Sequence, residues 1–135
     1  MKEKIQETIK HLGELCYDNE ITENDIWNLI RDKKSTEDFS MDEITIQKLI
    51  KKNGIRYQSG IAQEECAELI QAISKCLRSK EAIPIKERMN LIEEMADVMI
   101  CLEQLKVIFH INEEELKCWI ETKENRLLTR EGLKE

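Results

Sequence analysis

The chain reads as an all-α protein, and three observations carry that expectation. One Pro and four Gly occur in 135 residues, too few turn-forming positions for a strand-rich sandwich. Aromatic residues make up only 4% of the chain, while 36% is charged and 41% hydrophobic, enough of each for a core and a wetted surface. The apolar residues recur mainly at steps of three and four, the period of a helix face. A chain of this length supports one domain.

The helices follow in order. Residues 1–17 carry Ile5, Ile9, Leu12, Leu15 and Cys16 on one face, weakened by Gly13. Thr22, followed by Glu23, Asn24 and Asp25, marks a second start before Ile26, Trp27, Leu29 and Ile30, because small polar residues satisfy the free N–H groups of a first turn. Residues 31–39 are strongly charged and read as a connector. Ser40-Met41-Asp42-Glu43 predicts a capping box for a third helix with Ile44, Leu49 and Ile50, stopped by Gly54. Residues 55–60 then read as a loop. A fourth helix is expected from about Ile61 to Leu77, and a loop around Pro84 leads to a long apolar helix from about Lys86 to Phe109. Asn112 with Glu115 caps the last helix. The result is four core helices in residues 36–135 and a helical extension in residues 1–35.

Two acidic clusters interrupt this apolar pattern: Glu64-Glu65-Cys66-Ala67-Glu68 and Glu94-Met95-Ala96-Asp97. Spacing alone is weak evidence, because the composition predicts about six acidic pairs three apart. The chain has four, Glu20/Glu23, Glu65/Glu68, Glu94/Asp97 and Glu121/Glu124, so direction has to discriminate among them. At about 100° per residue with Glu65 at zero, Ile61, Ala62, Cys66, Leu69, Ile70, Ala72, Ile73, Cys76 and Leu77 fall between about −40° and +140°. Glu65 lies within that arc, Glu68 at its edge and Glu64 outside. With Asp97 at zero, Ile108, Cys101, Glu94, Leu105 and Val98 fall between about 20° and 100°, so both acids of the second pair interrupt an apolar stripe. That helix is apolar on most other sides too, through Leu91, Ile92, Met95, Met99, Ile100, Leu102 and Val107, the pattern of a segment surrounded by partners. Carboxylates taken out of water need a proton or a positive charge. Four converging from two helices point to a hard cation such as Mg²⁺, which takes oxygen ligands. Glu20/Glu23 and Glu121/Glu124 fit solvated faces.

Composition and motif content exclude several other classes. A net charge of −7 argues against a nucleic-acid groove, which needs clustered Lys and Arg. No apolar run approaches the roughly 20 residues that span a bilayer, and the first residues lack the apolar core of a signal peptide, so a cytoplasmic protein with no membrane partner is expected. Five cysteines without a Cys-x-x-Cys read as reduced, mostly buried side chains. His11 and His110 have no neighbour at zinc-ligand spacing, and neither has the Glu three residues earlier that a di-iron carboxylate bundle uses. No P-loop and no Ser/His/Asp or Cys/His set is present.

The last helix supplies the opposite charge. Leu116, Trp119, Lys123, Arg126 and Arg130 follow at steps of three or four, so a cationic stripe continues an apolar one. These cations suit phosphate oxygens, or they serve the C-terminal end of the helix dipole. Lys75, on the flank of the acidic helix, is a weaker phosphate candidate and equally fits a surface lysine.

Glu64-Glu65-x-x-Glu68 followed by Glu94-x-x-Asp97 resembles the paired motif of the MazG-like, all-α nucleoside triphosphate pyrophosphohydrolases. The resemblance runs from about Ser40 to Arg130 and includes the basic residues of the closing helix. It implies a MazG-like helical bundle, with residues 36–135 as the pyrophosphohydrolase domain, assembled as a homodimer or homotetramer. It further implies that Glu65, Glu68, Glu94 and Asp97 hold Mg²⁺ or Mn²⁺. Glu64 would bind a second ion or orient water as the catalytic accessory, and Lys123, Arg126 and Arg130 would bind the substrate, with Lys75 a weaker substrate-binding candidate from its position on the acidic helix alone. The implied reaction is cleavage of the α–β phosphoanhydride of a nucleoside triphosphate to a monophosphate and pyrophosphate. Tyr57, Gln58 and Trp119 are candidates to line a base pocket, with a core role the default for Trp119 and loop packing the default for Tyr57. The competing expectation is a catalytically silent helical binding or adaptor protein of the same fold.

Overall fold

A computed structural model describes residues 39–135, which form four α-helices and no strand: α1 (Glu43–Asn53), α2 (Ile55–Leu77), α3 (Ile85–Ile108) and α4 (Glu113–Arg130). The all-α expectation holds for these residues. The helices expected within residues 1–35, Trp27 among them, lie outside the described residues.

The start of α1 differs from expectation. Asp42, not Ser40, is the N-cap: its Oδ2 accepts from the Thr45 amide at 3.1 Å and from the Thr45 hydroxyl at 3.0 Å. A short carboxylate there answers a free amide and favours the positive end of the helix dipole. The hydrogen bonds from Thr45 hold Asp42 below the usual carboxylate range. At the other end Gly54 stops the helix as expected, with φ 88 and its N–H on the Ile50 carbonyl at 2.7 Å.

The loop expected at residues 55–60 is helix instead. Gly54 alone separates α1 from α2, and the Gln58 amide already donates to the Gly54 carbonyl at 3.1 Å. One residue with positive φ reorients the chain, and without a proline nothing prevents helix from resuming at once. Gly60 therefore sits inside a helix, where a Cβ would meet nothing within 4 Å. Gly60→Ala is expected to stabilise the chain by about 0.5–1 kcal/mol, read as a higher urea midpoint with an unchanged m-value.

The later boundaries agree closely with the sequence. Pro84 precedes α3, where its missing N–H costs no helical bond, and its carbonyl accepts from Arg88 at 3.0 Å. At the far end His110 adopts φ 52. The amides of His110 and Ile111 donate back to Val107 and Lys106 at 3.3 and 2.8 Å, a paired closure that satisfies the last carbonyls. Asn112 and Glu115 form the expected capping box of α4. Lys106 bridges Glu103 within α3 and Glu113 on α4, both at 2.5 Å. Burial opposes its charge, but the hydrogen bonds and charges of the two glutamates together raise its pKa.

The described residues fall into two compact units, one holding Ala72–Ile92 and the other Met41–Gln71 with Glu93–Glu135. In the first, the Cys76 thiol donates to the Glu87 carbonyl at 3.3 Å. The second holds α1, α4 and the parts of α2 and α3 that carry both acidic motifs. Its core includes Ile46 (1% exposed), Ala62, Cys101 and Ile108.

Burial follows a narrower stripe than the apolar pattern suggested. On α2 the buried residues are Gln58, Ala62, Ala72 and Cys76, about −20° to +60° from Glu65, whereas Ile73 and Leu77 on the wider arc are exposed. On α3 the buried residues are Cys101, Gln104 and Ile108, about −20° to +40° from Asp97. The remaining apolar sides of α3 include exposed Ile92, Met95, Ile100 and Leu102. No residue of α4 is buried, and Leu116, Trp119, Ile120 and Leu127 are all exposed. Among the described residues no helix is long and apolar enough to cross a membrane.

Candidate metal centre

Glu65 lies near the middle of the buried stripe of α2, and Asp97 near the middle of that of α3. The structure brings one carboxylate oxygen each of Glu65, Glu68 and Glu94 within 4.8 Å of one another. Helical spacing makes this local: residues three apart share a face, so α2 delivers Glu65 and Glu68 together and α3 delivers Glu94 beside them. Glu68 is exposed and opens the cluster to solvent, whereas Glu65 and Glu94 are half-buried.

Asp97 falls outside the 4.8 Å set but close enough for its charge to act on it. Burial comes first in pushing Glu65 above the usual carboxylate range, followed by the charges of Asp97, Glu68 and Glu94 and a hydrogen bond with Glu68. Glu94 is raised for like reasons, with burial first, then Glu68, Asp97 and Glu93. The Cys101 thiol is pushed up by burial and then by Glu65, Cys66 and Asp97, so these side chains share one negative neighbourhood.

The donor set fits a divalent cation. Glu65 Oε2 and Glu94 Oε2 are buried without a hydrogen-bond partner, and among the described residues no Lys or Arg forms an ion pair with either of these glutamates, with Glu68 or with Asp97. Buried carboxylate oxygens without partners are costly. All the candidate ligand atoms are hard oxygens, the set that suits Mg²⁺ or Mn²⁺ rather than a thiolate-bound metal.

Among the described residues no ion pair joins the predicted cations to this cluster. Glu64 is exposed on the outer face of α2. Lys123, Arg126 and Arg130 are exposed on α4; Lys123 lies over the Trp119 ring at 5.9 Å, and Arg130 pairs with Glu131 at 2.8 Å. The inward continuation expected of the cationic stripe is absent within the single chain. Lys75 is exposed on the last turn of α2 and belongs to the other compact unit. Tyr57 and Trp119 are exposed.

Gln58 is buried rather than free to contact a base. Its Oε1 accepts from Asn53 Nδ2 and its Nε2 donates to Gln104 Oε1, both at 2.8 Å. Gln104 was not anticipated, because at about −20° from Asp97 it falls outside the apolar stripe of about 20° to 100° read from the sequence.

The fold and the site thus define an all-helical protein with a converging carboxylate cluster. No family model, curated protein or solved structure matches the chain.

Proposed function

We propose that this chain is a divalent-cation-dependent nucleoside triphosphate pyrophosphohydrolase of the MazG-like kind. The observation that carries the proposal is the convergence of Glu65, Glu68 and Glu94, two of them with buried unpartnered oxygens, on the motif residues of the resemblance. Glu65, Glu68 and Glu94, joined by Asp97, would hold Mg²⁺ or Mn²⁺. A cation there would neutralise triphosphate charge and acidify a water.

The chain's own residues have separate tasks. Glu64, exposed on α2 and adjacent in sequence to Glu65, takes from the resemblance the task of orienting the attacking water and receiving its proton. A bond forms from the water oxygen to the α-phosphorus, the α–β bridging bond breaks, and pyrophosphate leaves with the electron pair. Lys123, Arg126 and Arg130 stabilise charge on that leaving group. Exposed apolar residues on α3 and α4 support assembly as a homodimer or homotetramer, in which those faces are covered. The free cysteines Cys66, Cys76, Cys101 and Cys118 suit a reducing cytoplasm.

A second reading, a catalytically silent binding or adaptor protein, draws on the exposed apolar face of α4. Incubation with the common ribo- and deoxyribonucleoside triphosphates and Mg²⁺ or Mn²⁺ decides between them. The expected products for at least one substrate are monophosphate and pyrophosphate in equal amounts. Diphosphate with orthophosphate would overturn the bond assignment, and no turnover of any nucleotide would favour the binding protein.

A further inference from the structure

The buried polar side chains of the described residues are Gln58, 6% exposed, and Gln104, 8% exposed. They are bonded to each other across α2 and α3, and Asn53 at the end of α1 donates to the same Gln58 amide. Gln58 thus accepts from one helix and donates to another. The apolar neighbours on these stripes, Ala62, Cys101 and Ile108, are held by contacts without directional preference. They favour burial but do not choose one axial position of α2 against α3. A buried hydrogen bond does choose, because sliding by one turn leaves amide groups unpaired away from water.

The glutamine pair is spaced in register with the acids. Seven positions inward from each glutamine stand Glu65 on α2 and Asp97 on α3, and ten positions inward stand Glu68 and Glu94. Seven residues are about two helical turns, so each set returns to nearly the same face. The charges agree: Asp97 is the first charge acting on Glu65, and Glu68 the first acting on Glu94. We propose that Gln58 and Gln104 are positioning residues whose hydrogen bond, oriented by Asn53, sets the antiparallel register that makes the carboxylates converge. Fixing helix register is the best-attested role of a buried polar pair. The consequence for cation binding rests on the metal-centre reading above; the register itself does not.

The test is the double substitution Gln58→Met with Gln104→Met, which keeps side-chain volume and removes both buried amides together, the exposed Asn53 side chain turning to water. Its helix content and thermal midpoint are expected to stay near wild type. Its crystal structure is expected to show α2 displaced along α3 so that Glu65 no longer faces Asp97. Mn²⁺ affinity, read by electron paramagnetic resonance without any nucleotide, is expected to fall about tenfold or more. A crystal structure with the wild-type register overturns the inference, as does unchanged affinity in the variant when the wild-type chain binds Mn²⁺. Failure of the wild-type chain to bind Mn²⁺ would instead refute the metal centre, and the crystallographic register would still decide the role of the glutamines. Gln104→Met alone, which strands the Gln58 amide, is expected to lower the thermal midpoint where the double variant does not.

Discussion

For the proposed pyrophosphohydrolase, Glu65→Gln is expected to lower Mg²⁺-dependent pyrophosphate release by at least about 10²–10³-fold, the scale of removing one preorganised electrostatic contact from a reacting site. The substitution keeps the shape of the side chain and removes one negative charge, while adding an NH₂ group that faces any bound cation with a donor. Glu65 is the most demanding position of the set because it lies closest to the middle of the buried stripe and its Oε2 has no protein partner. Glu68, being exposed, can be partly replaced by water. Initial rates across a Mg²⁺ titration, with circular dichroism to verify the fold, measure the effect. Activity within about threefold of wild type would remove Glu65 from the centre.

The second large effect is on stability, and its sign is unusual. Folding raises the pKa of Glu65 and Glu94 above the ordinary value of 4.5, so the native state favours their protonated forms. Stabilisation from that preference is complete below the ordinary value and is lost as pH rises through the raised one. The cation-free chain is therefore expected to become more stable on acidification from pH 7 toward about 5, opposite to a protein held by paired carboxylates. Asp42, whose pKa is lowered by its bonds to Thr45, acts the other way, but only as pH falls below its ordinary 3.8. The two trends therefore occupy separate pH ranges.

Glu94→Gln should raise the thermal midpoint of the cation-free chain at pH 7, because it removes one of the charges that crowd this cluster. It should also flatten the pH trend and remove the stabilisation by Mg²⁺. Protons compete with the cation for the same oxygens, so Mg²⁺ should protect the wild-type chain less at pH 5 than at pH 7. A wild-type midpoint that falls between pH 7 and 5 without cation, or a variant less stable than wild type at pH 7, would contradict the electrostatic picture. Substitution that stabilises and inactivates together is the expected signature of a site strained for function.

Much of this was legible because helical geometry is local. The cap at Asn112 and Glu115, the stop at Gly54 and the burial of Glu65 follow from spacings of three and four residues. The start of α1 was misread because Ser40 and Asp42 both offer capping oxygens, and only the backbone path decides which reaches the Thr45 amide. Gly54 and Gly60 together suggested a loop, whereas only Gly54 has positive φ among the two. Angles on a single helix place a residue on a face but do not identify what lies opposite. The pairing of Gln58 with Gln104, the place of Asp97 outside the closest carboxylates and the lack of any buried residue on α4 all depend on how helices meet.

The matched spacing of glutamines and acids also bears on how this chain can change length. A single-residue insertion or deletion between Gln58 and Glu65, or between Asp97 and Gln104, would rotate one carboxylate by about 100° away from its counterpart while leaving every motif intact in the sequence. Length variation is tolerable where it does not enter these intervals, as in the connection around Pro84 or beyond the end of α4. For this architecture, a relative that retains all four acids but has gained or lost one residue inside either interval would keep the motif and lose the site.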